Sequence, residues 1–260
     1  MKLAVSGKGG AGKSTVAAAL ALLIARAGRR CLAVDADPDA NFAAALGIGA
    51  NVRKTFVPIA QHKALIEERT GAKVKQYGQM FKMNPEVSDI AERYAYNHAG
   101  VALLVLGAVD TGGSGCACPE SVLLRALVSD LILHRDEALI LDMEAGVEHL
   151  GRATARGVDK MLVVVEPGQR SVDCALRVRR MAGEIGLSDV QVVANKVTCD
   201  EDSAFIRGAV GDLEVIGSIP FSEEIRASDR YGKSVLDDAD HIVVECFRKI
   251  LKRLEQERAL

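Results

Sequence analysis

Residues 7–15 read Gly7-Lys8-Gly9-Gly10-Ala11-Gly12-Lys13-Ser14-Thr15. This stretch, called the phosphate loop below, matches the pattern Gly-x-x-x-x-Gly-Lys-Ser/Thr, in which glycines let backbone N–H groups close around phosphate oxygens. In such a loop Lys13 contacts the β and γ phosphates, and the Ser14 hydroxyl binds magnesium. We therefore predict that the phosphate loop surrounds ATP or ADP with a magnesium ion.

The residues on either side of the phosphate loop fit this prediction. Leu3-Ala4-Val5-Ser6 is a short apolar run typical of a buried parallel strand. Residues 15–24 have the alanine and leucine content of a buried helix that ends near Gly28. Strand, loop and helix in this order are the context that a nucleotide-binding loop requires.

A second lysine, Lys8, directly follows the first glycine of the phosphate loop. Because Lys13 already serves the β and γ oxygens, Lys8 could serve the same phosphates or those bound by a facing subunit. The alternative is a solvated loop charge. We favour an ATPase that works as a dimer.

Composition indicates one soluble domain over residues 1–260. The chain has 49% hydrophobic and 26% charged residues and no Pro- or Ser-rich linker, and its formal charge of −2 gives no general attraction to nucleic acid or anionic lipid. The longest early apolar run, residues 16–25, is far shorter than the roughly 20 residues that span a bilayer. Since the sequence begins with a strand and the phosphate loop, we expect no signal peptide, a cytoplasmic location and reduced cysteines.

Apolar runs alternate with helical patterns, which predicts an α/β fold: a doubly wound, mostly parallel sheet of about seven or eight strands flanked by helices. Further strands are predicted at 31–34, 101–106, 138–141, 161–165, 190–194 and 215–219. Helices are predicted at 121–133, 147–156, 171–185 and 242–254. Residues 47–98 show no clear period, and we interpret them as irregular helices inserted after the second strand.

Acidic residues follow two predicted strands, where ligands of such sheets bind. Asp37 and Asp39 lie in Asp35-Ala36-Asp37-Pro38-Asp39, and carboxylates facing a triphosphate can hold metal-bound water or orient the attacking water. The alternative is an acidic turn fixed by proline. Asp142 ends an apolar run and has the form of a Walker B aspartate, and Gly146 follows where its N–H could contact the γ-phosphate.

Two other strand ends are candidates for binding the base. Asn195 offers one acceptor and two donors to a purine edge, and the stem of Lys196 can cover the ring. Pro220 and Phe221 could close the base pocket, or the proline could simply end a strand.

Six segments together resemble a known family: GKGGAGKST, VDADPD, LILDMEAG, VVVEP, ANK and IPF, in this order and spacing. They are similar to the family of MinD, ParA and nitrogenase iron protein, within the SIMIBI class of P-loop NTPases. The resemblance implies that Lys8 contacts phosphate across an ATP-bound dimer, that Asp37 lies in switch I, and that Asp142 begins switch II. It also places Glu166 of VVVEP among the nucleotide-binding residues. Asp39 is an alternative to Asp37, since two acids flank Pro38.

Cys116 and Cys118 form a C-x-C pair in Gly-Ser-Gly-Cys-Ala-Cys-Pro-Glu. In an extended segment both thiols project to the same side and can bind one ion. Two thiolates are half of a tetrahedral sulfur site, and a dimer would supply the other half. The alternative is two structural cysteines.

The segments GSGCACPE, DMEAGVEHL and FKMNPEVSDI resemble the CooC-type nickel-insertion ATPases that mature carbon monoxide dehydrogenase. That resemblance implies a homodimer in which Cys116 and Cys118 of both subunits share one nickel or zinc ion, and a nickel enzyme as client. Nitrogenase iron protein uses widely separated cysteines instead, so the chain departs from that pattern.

Two rival hypotheses remain, and neither explains the C-x-C pair. A MinD-like ATPase would use the apolar stripe of the C-terminal helix at a membrane surface. A ParA-like ATPase would bind DNA through Arg170, Arg177, Arg179 and Arg180, but the overall charge argues against this and a solvated helix face is the simpler explanation.

Overall fold

A computed structural model of the chain describes residues 1–37, 39–74, 78–107, 118–135, 137–147, 150 and 155–256. The described part of the chain contains one eight-stranded sheet. The strands are β1 (Lys2–Gly7), β2 (Cys31–Asp35), β3 (Tyr96–His98), β4 (Val101–Val105), β5 (Ala138–Asp142), β6 (Lys160–Val165), β7 (Val190–Val197) and β8 (Glu214–Pro220).

Helices lie on both faces of this sheet. Within the described ranges they are α1 (Lys13–Arg26), α2 (Phe42–Ala45), α3 (Ala50–Arg53), α4 (Lys63–Thr70), α5 (Ile90–Tyr94), α6 (Pro119–His134), α7 (Gln169–Ile185), α8 (Asp200–Ala209), α9 (Glu223–Tyr231) and α10 (His241–Gln256). Ile59–Gln61 adds a turn of 3₁₀ helix.

The strand order is β3-β4-β2-β5-β1-β6-β7-β8. All neighbours pair in parallel except β3, which runs antiparallel to β4 at one edge. The prediction of a doubly wound, mostly parallel sheet is therefore confirmed. Parallel pairing brings the carboxyl ends of β1, β2, β5, β6, β7 and β8 to one edge, where the predicted site residues follow.

Both faces of the sheet are buried, which explains why its central strands are nearly continuous apolar runs. In β2, Leu32 and Val34 face one core, which includes residues of α6 and α7. Cys31 and Ala33 face the other, which includes residues of α1 and α10. Successive strand residues thus alternate between two cores, as the pleat requires.

The structure differs from the sequence-based element assignment at two places. In the range 47–98 it has short helices, but residues 96–98 form β3, a strand that the pattern does not predict. β3 is short and largely exposed, so it lacks an apolar alternation. Most of the helix predicted at 147–156 lies outside the described residues.

The C-terminal helix α10 docks on the second core. Val243, Phe247, Ile250 and Leu254 of its apolar stripe are buried. A Cβ at Gly217 of β8 would lie 2.4 Å from Ile250 Cγ1, so glycine permits this close packing. Among the described helices, none is long and apolar enough to cross a membrane.

Candidate nucleotide site

Close packing at the end of β1 positions the phosphate loop. Gly7 has φ 145°, and a Cβ there would lie 2.5 Å from the Val164 carbonyl oxygen of β6. Only glycine accepts this conformation and this contact without displacing backbone. The loop therefore leaves the sheet at a fixed angle and leads directly into α1 at Lys13.

The predicted base-binding residues hold the phosphate loop. The Asn195 amide donates from Nδ2 to the Ala11 carbonyl at 2.7 Å, and Lys196 Nζ donates to the Gly10 carbonyl at 2.5 Å. Gly12 has φ 98°, and a Cβ there would lie 2.3 Å from Asn195 Nδ2. These contacts turn the loop carbonyls toward β7, while the first N–H groups of α1, which lack intrahelical acceptors, form an anion site.

Lys13 contacts Asp37 at the centre of the site. Its Nζ lies 3.3 Å from Asp37 Oδ2, and both side chains are largely buried. Asp39 is exposed, and its backbone N–H donates to Asp37 Oδ1 at 3.0 Å. Of the two candidate acids, Asp37 is thus the one next to the loop lysine.

Two further carboxylates lie behind this pair. Asp142 of β5 and Asp35 of β2 are fully buried and stand opposite each other in the strand register. Burial raises the pKa of Asp142 to about 7, with Ser14 and Lys13 opposing the rise. Burial and then the Asp142 charge raise the pKa of Asp35 to about 8. The sequence predicts Asp142 as a site residue, but it does not single out Asp35, because burial is not visible in the acidic triplet.

The Asp142 carboxylate fits a magnesium site. Neither of its oxygens has a hydrogen-bond partner in bonding geometry within the described part of the chain. Buried carboxylates are normally paired or bound to metal. Hard oxygen donors of this kind, together with the Ser14 hydroxyl, suit Mg²⁺ and its water shell.

Lys8 takes part in an ion pair within its own chain. Its Nζ lies 2.8 Å from Glu166 Oε1, and Lys196 Nζ lies 3.6 Å from Glu166 Oε2. Burial raises the pKa of Glu166, but the two ammonium groups outweigh it and the net shift is downward. Glu166 is therefore held as a carboxylate between two lysines.

Residues 143–146, directly after β5, contact β1, the strand that leads into the phosphate loop. Ser6 Oγ donates to the Glu144 carbonyl at 2.6 Å, and the Met143 N–H donates to the Val5 carbonyl at 2.9 Å. The Gly146 N–H, which the sequence suggests as a possible contact to the γ-phosphate, donates to the Glu144 carbonyl at 2.7 Å. A contact to nucleotide would require this turn to change.

A cleft of about 690 Å³ opens over the phosphate loop, a volume suited to a nucleotide-sized ligand. Its lining includes these predicted residues: Gly9, Gly10, Gly12, Lys13, Ser14, Thr15, Asp37, Asp39, Asn195, Lys196, Pro220 and Phe221. Gly7, Ala11 and Asp142 are buried and do not line it. The far wall also contains Ile225, Arg226 and Asp229 of α9, which have no recognisable motif in the sequence.

The C-x-C pair is described only in part, because Cys116 lies outside the described residues. Cys118 caps the N-terminus of α6: Ser121 N–H donates to its Sγ at 3.5 Å, and its Sγ lies 3.1 Å from Ser121 Oγ. Pro119 begins the helix and removes one donor. In the described ranges, no three or more His, Cys, Asp or Glu side chains form a metal-binding group.

Comparison with known proteins assigns the family. Residues 2–235 match the CobQ/CobB/MinD/ParA nucleotide binding domain. The chain is 43% identical to the carbon monoxide dehydrogenase accessory protein CooC of Rhodospirillum rubrum over 237 residues. This alignment covers 91% of this chain and 90% of that protein. An uncharacterized ATP-binding protein of Methanocaldococcus jannaschii is also 43% identical, over 238 residues, covering 90% of this chain and 91% of that protein.

A solved structure shares the fold. The MinC:MinD cell division protein complex of Aquifex aeolicus has a chain that superposes with a TM-score of 0.69 at 19% identity, covering 98% of this chain and 95% of that one. Identity at this level shows the fold alone. The family match and the two sequence relatives span most of the chain. This chain is therefore a P-loop ATPase that belongs to the CobQ/CobB/MinD/ParA nucleotide-binding family and has CooC among its relatives.

Proposed function

We propose that the chain is an ATP-dependent metallochaperone. In this proposal it pairs with a second copy when ATP binds, holds a nickel or zinc ion between the two C-x-C pairs, and delivers nickel to carbon monoxide dehydrogenase or a related enzyme. The observation that carries the proposal is a C-x-C pair, ending at the α6 cap, in an ATPase 43% identical to CooC over 91% of the chain.

Hydrolysis would use groups that the chain brings together in the cleft. Bound magnesium neutralises phosphate charge, and Ser14 and Asp142 would hold it with its water shell. Lys13 is paired with Asp37 at 3.3 Å. When phosphate arrives, Lys13 would turn to it, and Asp37 would then accept a hydrogen bond from the attacking water.

Lys8 would act across the interface between two chains. Within one chain Lys8 Nζ lies 2.8 Å from Glu166 Oε1, and the lysine side chain is partly exposed. A phosphate of the facing chain would compete with Glu166 for the same ammonium. Lys196 lies 3.6 Å from Glu166 and would remain to pair with that carboxylate after Lys8 leaves.

Metal binding would depend on the dimer because of the number of ligands. One chain supplies two thiolates, whereas a closed tetrahedral sulfur site needs about four ligands. Hydrolysis that separates the chains would halve the ligand count and release the ion. Thiolates must lose protons to bind, so metal affinity is expected to fall as the pH drops below the thiol pKa.

Titration tests this proposal by measuring bound metal and molecular mass together in the presence of a slowly hydrolysed ATP analogue. We expect the untagged wild type to saturate at one Zn²⁺ or Ni²⁺ per two chains. The Cys116→Ser/Cys118→Ser variant should lose that ion, and Cys199→Ser, at an exposed cysteine outside the pair, should keep it. One tightly bound ion per monomer, or full binding by the double variant, would refute the shared site.

A further inference from the structure

A second cavity of about 350 Å³ lies beside the nucleotide cleft. Its charged lining consists of Lys8, Arg170, Asp173 and Arg177, of which the last three lie on the first turns of α7. We call it the cationic cavity. Its lining has three cationic side chains and one carboxylate, whereas the chain as a whole has a formal charge of −2.

The two arginines of the cationic cavity have no carboxylate partner among the described residues. Within the described part of the chain, neither Arg170 nor Arg177 forms an ion pair, whereas Arg179 on the same helix pairs with Asp212. Asp173 accepts a hydrogen bond from the Gln169 amide at 2.8 Å. Arg177 lies near Cys174, where it opposes the rise that burial causes in the pKa of the thiol. Both guanidinium groups are thus available for an outside anion.

The cationic cavity adjoins the nucleotide cleft but is separate from it. Gly9 and Ala145 line both, and Lys13 lines only the cleft. A nucleotide bound by the chain's own Lys13 would leave the cationic cavity free. Because Lys8 lines this cavity, a phosphate that reaches Lys8 from outside the chain would also meet the α7 arginines.

We propose that the cationic cavity receives phosphate oxygens of the nucleotide bound by a second copy, so that Arg170 and Arg177 act with Lys8 in joining two chains. This inference rests on the proposed function, since it concerns the ATP-dependent pairing stated there. Guanidinium groups bind phosphate through two parallel hydrogen bonds, which adds geometry to the point charge of a lysine.

The same charges make pairing depend on the nucleotide. In a two-fold dimer the cationic cavities of both chains would approach the shared interface. Without phosphate between them, the cations would repel each other. ATP offers one more phosphate group than ADP, so it compensates more of this repulsion. A duplex nucleic acid fits the cationic cavity less well than a nucleotide does. Its phosphates are bound by cations spread along a surface, whereas these cations surround a small concavity.

Sedimentation of the full chain with ADP and with a non-hydrolysable ATP analogue tests the proposal. For Arg170→Gln/Arg177→Gln we expect the dissociation constant of the analogue-bound dimer to rise about tenfold or more, the scale of a lost charge-assisted contact. Its dependence on salt should weaken as well. Affinity of the monomer for fluorescent ADP should stay unchanged, which also verifies folding. Arg180→Gln, on the same helix but outside the cavity lining, should behave as wild type, and Arg170→Lys/Arg177→Lys should be intermediate.

Failure of this inference can be told apart from failure of the proposed function. If Lys8→Ala loses pairing while the arginine double variant pairs as wild type, the role of the arginines is wrong and ATP-dependent pairing stands. If the wild type itself does not pair with the ATP analogue, both proposals fail. The double variant could instead pair normally but lose salt-dependent binding to a DNA duplex. This result would show that the arginines bind nucleic acid, and it would overturn the inference.

Discussion

Asp35 and Asp142 face each other on neighbouring strands, and both are buried. Two ionised carboxylates in this position would repel each other in a medium of low dielectric constant. Burial is the main reason that both groups keep their protons in the nucleotide-free chain: it raises the pKa of Asp142 to about 7 and, with the Asp142 charge adding to it, the pKa of Asp35 to about 8. A divalent cation at Asp142 would remove the need for protonation.

Asp35→Asn should flatten the pH dependence of stability of the nucleotide-free protein. An unfolded aspartate has a pKa near 3.8. Between pH 4 and pH 8 the unfolded chain therefore loses protons that the folded chain keeps, so the free energy of unfolding falls as the pH rises, then levels off. Replacing one of the two groups should remove roughly half of this fall.

Urea unfolding at several pH values between 5 and 9 measures this slope. Asp39→Asn provides the control, because Asp39 is exposed and should leave the slope as in wild type. An Asp35→Asn protein with the wild-type slope would show that Asp35 is ionised throughout this range.

At the residue scale, local motifs are predictable and distant ion pairs are not. The sequence identifies Lys13 and Asp142 because each belongs to a short pattern with fixed chemistry. The contact between Lys8 and Glu166 joins residues 158 positions apart and depends on the packing of β1 beside β6. The same holds for Asn195 of β7, two strands away from β1, whose amide contacts the phosphate loop.

Among the elements, the turn from β1 into the phosphate loop passes so close to the β6 backbone that it leaves no room for a side chain at Gly7. Gly7→Ala would place a Cβ 2.5 Å from the Val164 carbonyl oxygen at φ 145°. We expect the variant to lose about 2 kcal/mol or more of stability, from overpacking and backbone strain together. Gly9→Ala is the matched control, because its Cβ would have no neighbour within 4 Å.

Thermal unfolding of the nucleotide-free variants makes this comparison independent of ligand binding. The midpoint of Gly7→Ala should fall by several degrees, while that of Gly9→Ala should stay near the wild-type value. Equal midpoints for the two variants would show that β1 and β6 can separate at Gly7 without cost.

The docked position of α10 yields a prediction about membranes. Phe247 is fully buried, so Phe247→Ala should cost about 3–5 kcal/mol, whereas Ile242→Ala, at a side chain 65% exposed, should change stability by about 0.5 kcal/mol or less. Because Val243, Phe247, Ile250 and Leu254 of α10 are already buried in the core, we expect the wild type not to sediment with anionic liposomes. Liposome binding abolished by Ile242→Ala would instead support an interfacial helix.

Element prediction succeeded where burial imposes a pattern and failed where it does not. β2, β5 and β6 are buried along their whole length and appear as apolar runs. β3 has three mostly exposed residues, and only its pairing with β4 defines it as a strand. The wall that α9 adds to the cleft likewise depends on how that helix follows β8, which no motif encodes.

The molecule brings Lys13, Ser14 and Asp37 together in one cleft, whereas the proposed metal site and the proposed role of Lys8 both require a second copy. Each copy of a two-fold dimer would then contribute Lys13 and Asp37 to its own site and Lys8 to the site of its neighbour. This arrangement can be distinguished from a Lys8 that acts within its own chain, because mixed dimers behave differently in the two cases.

Mixing Lys8→Ala with Asp37→Asn should restore ATP hydrolysis that neither variant has alone. In a mixed dimer, the Lys8→Ala chain keeps its own Asp37 and receives Lys8 from its neighbour, so one of the two sites is complete. Each mixed dimer has one complete site out of two, so its rate should be about half that of a wild-type dimer. Lys13→Ala mixed with Asp37→Asn is the control and should stay inactive, since both residues act within one chain. The first mixture could also stay inactive although mixed dimers are detected by mass. In that case Lys8 acts on the nucleotide of its own chain, from the position beside Glu166 that the structure shows.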